Sequence, residues 1–280
     1  LQGIRNQATT VVSVDYDSDG DEDLVISQWS DHDQSSKQSI FKNNSGVFQD
    51  ISRITDINHK GRDIAALTAD YDNDGFLDLL FINSLKSRLY KNDGKGKFID
   101  VTSTMGIDFI SNGIKAGFFD YDLEGDLDLY VASGSVNQLY RNNADGTFTE
   151  ISNKSGTAGD SVKSKDIEIG DFDDDGDVDL FVLNKDRSSR FYNNRRQGYF
   201  SDITTKVGLN FLGQPSTVVS GDYNNDGHLD LFVADLAGEQ HAIFQNKGDG
   251  TFIKDEPSLS ALDGLTGFVI IKADFADLDN

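Results

Sequence analysis

The stretch from Asp70 to Leu79 reads DYDNDGFLDL, with Asp at positions 1, 3, 5 and 9 and Gly at position 6. The same ten-residue pattern occurs four more times: DYDSDGDEDL from Asp15, DYDLEGDLDL from Asp120, DFDDDGDVDL from Asp171 and DYNNDGHLDL from Asp222. Successive copies start 55, 50, 51 and 51 residues apart. A sixth copy opens at Asp277 and stops after Asp279 and Asn280. A period of this length is that of one supersecondary unit in a repeat protein.

A second string keeps the same phase. It reads IFKNNSGVFQDIS from Ile40, LYKNDGKGKFIDVT from Leu89, LYRNNADGTFTEIS from Leu139, FYNNRRQGYFSDIT from Phe191 and IFQNKGDGTFIKD from Ile243. Each repeat therefore predicts four short strands. Runs such as VVSVD or ALTAD precede the acidic string, and runs such as LVIS, LLFI or LYVA follow it. The second string has the form of a hairpin: an aromatic strand, an Asn/Gly/Asp turn, and a strand ending near Ser or Thr. Four strands per unit of about 50 residues is the size of one propeller blade. The expected fold is all-β, a β-propeller in one domain over 1–280. Complete blades are placed at about 8–52, 64–102, 114–152, 165–204 and 216–255, and 267–280 reads as the first strand of a sixth. An end inside an acidic loop makes the chain read as part of a larger propeller.

The 48 acidic residues exceed the 25 basic ones, a net charge of -23. That balance argues against nucleic acid or an anionic membrane as partner, since both require basic patches. The chain has no cysteine, so thiolate and disulfide chemistry are excluded. No run reaches the length of a bilayer-spanning helix. The 19 Phe and 9 Tyr recur between β-branched runs, which argues for a packed core rather than disorder.

Alternate acidic residues on a tight loop aim their oxygens at one point. A Gly at position 6 supplies a turn that other residues adopt only with strain. A set of hard oxygen donors of this size suits calcium, which takes six to eight oxygens in a tolerant geometry. The start of the string is like an EF-hand loop, but position 12 is Ile26, Phe81, Val131, Val182 or Val233 rather than Glu. The loop thus joins two strands, and the Asp at position 9 closes the ligand set. Expected ligands are Asp15, Asp17, Asp19 and Asp23; Asp70, Asp72, Asp74 and Asp78; and Asp120, Asp122, Glu124 and Asp128. The fourth and fifth sets are Asp171, Asp173, Asp175 and Asp179, and Asp222, Asn224, Asp226 and Asp230. The carbonyl at position 7 adds a further donor. These ions read as structural calcium, about five per chain.

Both strings resemble the FG-GAP/VCBS repeat propellers, which include the integrin α-subunit head and bacterial proteins similar to cartilage acidic protein. The resemblance runs from about Thr9 to Asn280. It implies a propeller, often of seven blades, with calcium between the first two strands of a blade. It also implies secretion or surface display, and a role in adhesion or ligand binding.

Connections within a blade alternate ends. The acidic loops and Asn/Gly hairpins share one face, and the strand 2–3 and blade-to-blade loops share the other. The second face is irregular in sequence, as a recognition surface for a protein or carbohydrate partner would be. Its longest expected loop, Ser27–Gln38, carries the sole Trp, Trp29, with Asp31, His32 and Asp33. Trp29 reads either as packing against a neighbouring blade or as an anchor for a ligand. His59, Lys60 and Arg62 read either as a solvated turn or as a site for an anionic group; Glu239 and His241 lie on the same face. No zinc-binding His spacing and no nucleophile elbow occur. The expected function is an extracellular, bacterial binding or adhesion module and not an enzyme. The alternatives are an accessory propeller of a secreted polysaccharide-active enzyme, and a structural spacer.

Overall fold

The structure, a computed structural model, describes residues 7–107, 110, 112–159, 163–185, 189–196, 198–209, 211, 213–238 and 240–256, with 264, 267, 270, 272 and 273. Each repeat folds into one four-stranded antiparallel sheet whose strands pair in chain order. Blade 1 comprises β1 (Gln7–Val14), β2 (Asp23–Ser30), β3 (Ser35–Asn44) and β4 (Val47–Asp50). Blade 2 comprises β5 (Asp63–Ala69), β6 (Asp78–Asn83), β7 (Arg88–Asn92) and β8 (Phe98–Asp100). Blade 3 comprises β9 (Gly113–Phe119), β10 (Asp128–Ser133), β11 (Gln138–Asn142) and β12 (Phe148–Glu150). Blade 4 comprises β13 (Ser164–Gly170), β14 (Asp179–Asn184), β15 (Arg190–Asn194) and β16 (Phe200–Asp202). Blade 5 comprises β17 (Pro215–Gly221), β18 (Asp230–Asp235), β19 (Ala242–Asn246) and β20 (Phe252–Lys254). The helix Ser152–Ser155 is a single turn. The chain is thus a β-propeller of four-stranded blades.

Packing divides the chain into two compact units. One holds Leu1–Phe118, Gly125–Val131 and Leu139–Ile151; the other holds Phe119–Glu124, Ala132–Gln138 and Ser152–Asn280.

In the first unit, all six residues of β6 are buried. Strand side chains alternate between faces, so β6 feeds two cores. Leu79 and Phe81 enter a cluster with Val14, Tyr16, Val25 and Ile40 of blade 1. Leu80 and Ile82 enter another with Leu129, Val131 and Tyr140 of blade 3. A sheet covered on both sides explains why the runs after the acidic strings, such as LLFI, are continuously apolar rather than alternating.

The second unit repeats the pattern. Leu231 and Val233 of β18 pack with Phe172, Phe181 and Phe191. Phe232 and Ala234 pack on the opposite face, where Ile270 and Ala273 cover them. The expected sixth copy, Asp277 to Asn280, lies outside the described residues, as does Glu239.

Blade 1 departs from the others in one respect. The segment Ser27–Gln38, expected as an irregular loop, is mostly strand: β2 and β3 run on to pair Gln28 with Lys37, Trp29 with Ser36 and Ser30 with Ser35. Only Asp31–Gln34 turn. The extension is held by polar contacts, which is why its Ser/Gln-rich sequence resembles a loop. Ser27 Oγ and Gln38 Nε2 both donate to the buried carboxylate of Asp63, at 2.7 and 2.9 Å.

Candidate metal centres

Each acidic string connects the first two strands of its blade. Residues flanking the string pair directly, Val14 with Asp23 and Ala69 with Asp78 for instance. Position 9 is therefore the first residue of the second strand, rigidly placed, while positions 1–8 make the turn. The turn bends through the left-handed region twice. Position 4 has φ of 55–59° at Ser18, Asn73, Leu123, Asp174 and Asn225, and position 6 has φ of 85–91° at Gly20, Gly75, Gly125, Gly176 and Gly227. A Cβ added at Gly20 or Gly75 meets nothing within 4 Å. Backbone conformation, not crowding, is thus what requires glycine there.

The Asp at position 1 organises the loop from inside. Both Asp70 oxygens accept backbone N–H groups, from Asp74 at 2.9 Å and Gly75 at 2.8 Å. Asp15, Asp171 and Asp222 do the same at 2.8–3.2 Å. The Asp at position 5 accepts the N–H of position 7, at 3.0 Å in Asp19, Asp74 and Asp175. The Asp at position 9 bridges outward. Asp78 accepts from the N–H of Tyr71 at 3.4 Å and of Asn92 at 2.7 Å.

Position 3 is different. One oxygen of Asp17, Asp72 and Asp173 has a partner, but Oδ1 of each is buried with no hydrogen-bond partner. A buried acceptor left without a donor is costly. The same atom left so in three loops points to a partner other than an N–H or O–H.

Carboxylate oxygens converge in all five loops. Within 4.8 Å of one another lie ligand atoms of Asp15, Asp17 and Asp19; of Asp70, Asp72 and Asp78; of Asp120, Asp122 and Asp128; of Asp171, Asp173 and Asp179; and of Asp222, Asp226 and Asp230. Two oxygens bound across a calcium ion at 2.3–2.6 Å would stand about 5 Å apart, so one ion can reach all members of a group. The donors are oxygens alone, the hard-ligand chemistry of a divalent alkaline-earth ion. Burial pushes the Asp78 and Asp179 carboxyls up to about 7 and that of Asp230 up to about 6, with neighbouring carboxylates adding to the effect. Without a cation, these groups resist ionising together. In the fifth loop the amide of Asn224 faces Asp226 instead, donating to its carboxylate at 2.9 Å.

One set of residues in these centres is invisible to a search for ligands. The Asn that closes the third strand in blades 2 to 5 ties each of those blades to its predecessor. Asn92 Nδ2 donates to the carbonyl of Leu77 at 3.2 Å and to that of Tyr16, in the preceding acidic loop, at 2.7 Å. Asn142 reaches Tyr71 O in the same way at 2.8 Å, Asn194 reaches Tyr121 O at 2.7 Å, and Asn246 reaches Phe172 O at 2.8 Å. Their recurrence at one position of the second string was the available signal.

These loops and their in-phase hairpins are what the family comparison detects. The family model for FG-GAP-like repeats matches residues 15–81, 70–131, 120–182, 171–233 and 222–280.

The chain belongs to the FG-GAP-like repeat family.

Among solved structures, this FG-GAP-like chain is similar to a lectin from Agrocybe aegerita that recognises non-reducing terminal N-acetylglucosamine. The TM-score is 0.56 at 20% identity, over 90% of this chain and 69% of the lectin. It is also similar to the V. cholerae biofilm matrix protein Bap1, with a TM-score of 0.53 at 15% identity over 86% of this chain. There the FG-GAP-like chain spans only 38% of the longer protein. At these identities the likeness is one of fold. No curated protein sequence matches the chain significantly.

The other residues singled out from sequence fall in two environments. Trp29 is half-buried near the end of β2, its Nε1 donating to Asp31 Oδ1 at 2.7 Å. His32 beside it is exposed, as are Lys60 and Arg62. His59 is buried: its ring nitrogens meet Tyr90 Oη at 3.1 Å and Asp63 Oδ1 at 2.7 Å. Nδ1 of His241 accepts the N–H of Asp235 at 3.0 Å. Burial alone would raise the Asp63 carboxyl, yet the hydrogen bond and charge of His59, with Ser27 and Asn83, hold it below its ordinary value.

Proposed function

We propose that this protein is a calcium-stabilised binding module that acts outside the cell and takes a carbohydrate as its ligand. The observation that carries the calcium reading is the buried, partnerless Oδ1 at position 3 of three loops, set among carboxylates that one ion can reach. Asp17, Asp72 and Asp173, with the other carboxylates of their loops, would hold the ion. Calcium there supplies positive charge that lets buried carboxylates ionise without repulsion. Extracellular calcium modules work in roughly the 10⁻⁴–10⁻³ M range, which is the support for a location outside the cell.

Recognition is assigned to the end of the blades opposite the acidic loops. Blade 1 extends there: β2 and β3 are eight and ten residues long, against six and five for β6 and β7. The tip joins the indole of Trp29 to exposed Asp31, His32, Asp33 and Gln34. An aromatic face beside carboxylate and amide groups matches a sugar, whose C–H face stacks while its hydroxyls hydrogen-bond. Arg62, also exposed, adds a positive charge suited to an acidic sugar. The similarity to a lectin fold agrees with this reading.

The test is a glycan array in 2 mM calcium, with wild type and Trp29→Ala. Binding to a glycan class that Trp29→Ala loses supports the reading. Binding of no glycan, or equal binding by the variant, refutes it.

A further inference from the structure

Three of the acidic loops present the same four aspartates. Loops 1, 2 and 4 all read D-x-D-x-D-G-x-x-D, at Asp15–Asp23, Asp70–Asp78 and Asp171–Asp179. They differ in what faces them from the third strand of the blade. In blade 1 it is Lys42, whose ammonium lies against Asp17 and 2.9 Å from Asp19. In blade 2 it is Lys91, against Asp72 and 2.8 Å from Asp74. In blade 4 the same position holds Asn193, whose Nδ2 donates to Asp173 at 2.7 Å and Asp179 at 3.2 Å.

We propose that this third-strand residue sorts the loops into two classes of calcium site: loop 4 tight, loops 1 and 2 weak and held closed by a tethered ammonium. The proposal rests on the calcium reading above.

In loops 1 and 2 the lysine is an internal cation. It bridges the carboxylates at positions 3 and 5 that an ion would need. Calcium must break both ion pairs to enter, and the displaced ammonium stays tethered nearby. A unit charge held about 5 Å from a divalent one weakens binding about tenfold even at the dielectric of bulk water.

In loop 4 no charge is displaced. Asn193 is 1% exposed, and its Oδ1 is buried without a partner. Turning the amide over would offer that oxygen to the ion and end its isolation. The nearby cation, Arg196, pairs with the Asp177 carboxylate at 2.5 Å, which offsets its charge, and with the backbone carbonyl of Asp175; it makes no ion pair with the carboxylates of the four aspartates.

The classes differ in metal-free order as well. Loops 1 and 2 have their position-3 and position-5 carboxylates bridged by lysine when calcium is scarce, whereas in loop 4 an amide joins positions 3 and 9 and Arg196 holds only Asp177 and the Asp175 carbonyl. Hydrogen exchange in EDTA should therefore be faster in loop 4 than in loops 1 and 2, with 2 mM calcium slowing loop 4 most.

The deciding experiment is a calcium titration by isothermal calorimetry on the whole chain, with Asn193→Lys, Lys42→Asn and Lys91→Asn. Wild type should show a tight and a weak class. Asn193→Lys should remove one equivalent from the tight class, lowering its affinity about tenfold. Lys42→Asn and Lys91→Asn should each add one. The lysine variants install the residue native to blade 4 at the same strand position, so they decide the matter even if Asn193→Lys misfolds. A tight class unchanged in all three variants overturns the sorting and leaves calcium binding intact. Absence of any calcium binding by folded wild type overturns both.

Discussion

Replacing Asn92 with Ala isolates the contact that joins one blade to the next. Asn92 is 0% exposed. The change deletes donation to Tyr16 O at 2.7 Å and Leu77 O at 3.2 Å, and acceptance from Gly94 N at 3.0 Å. The main-chain N–H of residue 92 keeps its bond to Asp78 Oδ1, so the acidic loop itself is spared. The buried carbonyl of Tyr16 and the part-buried one of Leu77 lose a donor. Each such group costs about 1–3 kcal/mol, and a water admitted to the vacated amide volume recovers part of that. The expected loss is about 2–4 kcal/mol, a fall in Tm on the order of 10 °C.

Asn43 provides the internal comparison. Its Nδ2 donates only to Glu22 O, at 3.1 Å within its own blade. Asn43→Ala should therefore cost about 1 kcal/mol or less. Thermal melts by circular dichroism in 2 mM calcium, with surface variant Lys95→Ala as baseline, read all three. If Asn92→Ala melts within 2 °C of wild type, or Asn43→Ala falls as far, the inter-blade role is refuted.

Other outcomes follow from the same geometry. Chelation by EDTA should lower Tm by several degrees and 2 mM calcium restore it; an unchanged melt would mean that the loops do not need an ion. Burial raises Asp78 and Asp179 to about 7 and Asp230 to about 6 in the metal-free fold, so at pH 6.5 Asp78 and Asp179 are largely, and Asp230 partly, protonated, whereas a carboxylate that binds a metal must be ionised. Calcium binding at pH 6.5 should therefore release protons, and affinity should rise with pH through 6–7 and then level; titration heats independent of buffer ionisation enthalpy would contradict this. Asp63→Ala strands His59, Ser27, Gln38 and Asn83, all bonded to that carboxylate at 2.7–2.9 Å. It should cost about 3–5 kcal/mol by urea melt, and a loss under 1 kcal/mol would show that the cluster contributes little. Gly75→Ala, at φ 90° with open space around its Cβ, should cost about 1 kcal/mol or more, seen as a Tm shift; a neutral result would mean that the loop relaxes freely.

The acidic loops were legible because their information is local. Aspartates two residues apart on a turn, with glycine at position 6, define a cluster without knowledge of the rest of the chain. Strand count per repeat was legible for the same reason. The inter-blade bond was not, since Asn92 and Tyr16 stand 76 residues apart and no periodicity links a side-chain amide to a distant carbonyl. The extension of β2 and β3 escaped because Ser27, Gln28, Gln38 and Ser39 are buried yet polar, and hydrophobic alternation is blind to polar packing. His59 likewise resembles a surface residue beside Lys60 and Arg62; only the approach of Asp63 and Tyr90 puts it inside.

The asparagine bond has a consequence for how such a chain can be lengthened or cut. Blades 2, 3 and 4 each carry both halves of the joint, an amide that reaches back and a loop carbonyl that the next blade takes, while blade 1 supplies a carbonyl and blade 5 an amide. Whole repeats can therefore be spliced in or out while each seam finds its mate, as identical couplings let wagons be added to a train. A fragment that ends partway through a repeat breaks that grammar. It leaves an amide or a carbonyl unmatched at the seam, so a cut that keeps the joints paired removes one period, counted from acidic loop to acidic loop.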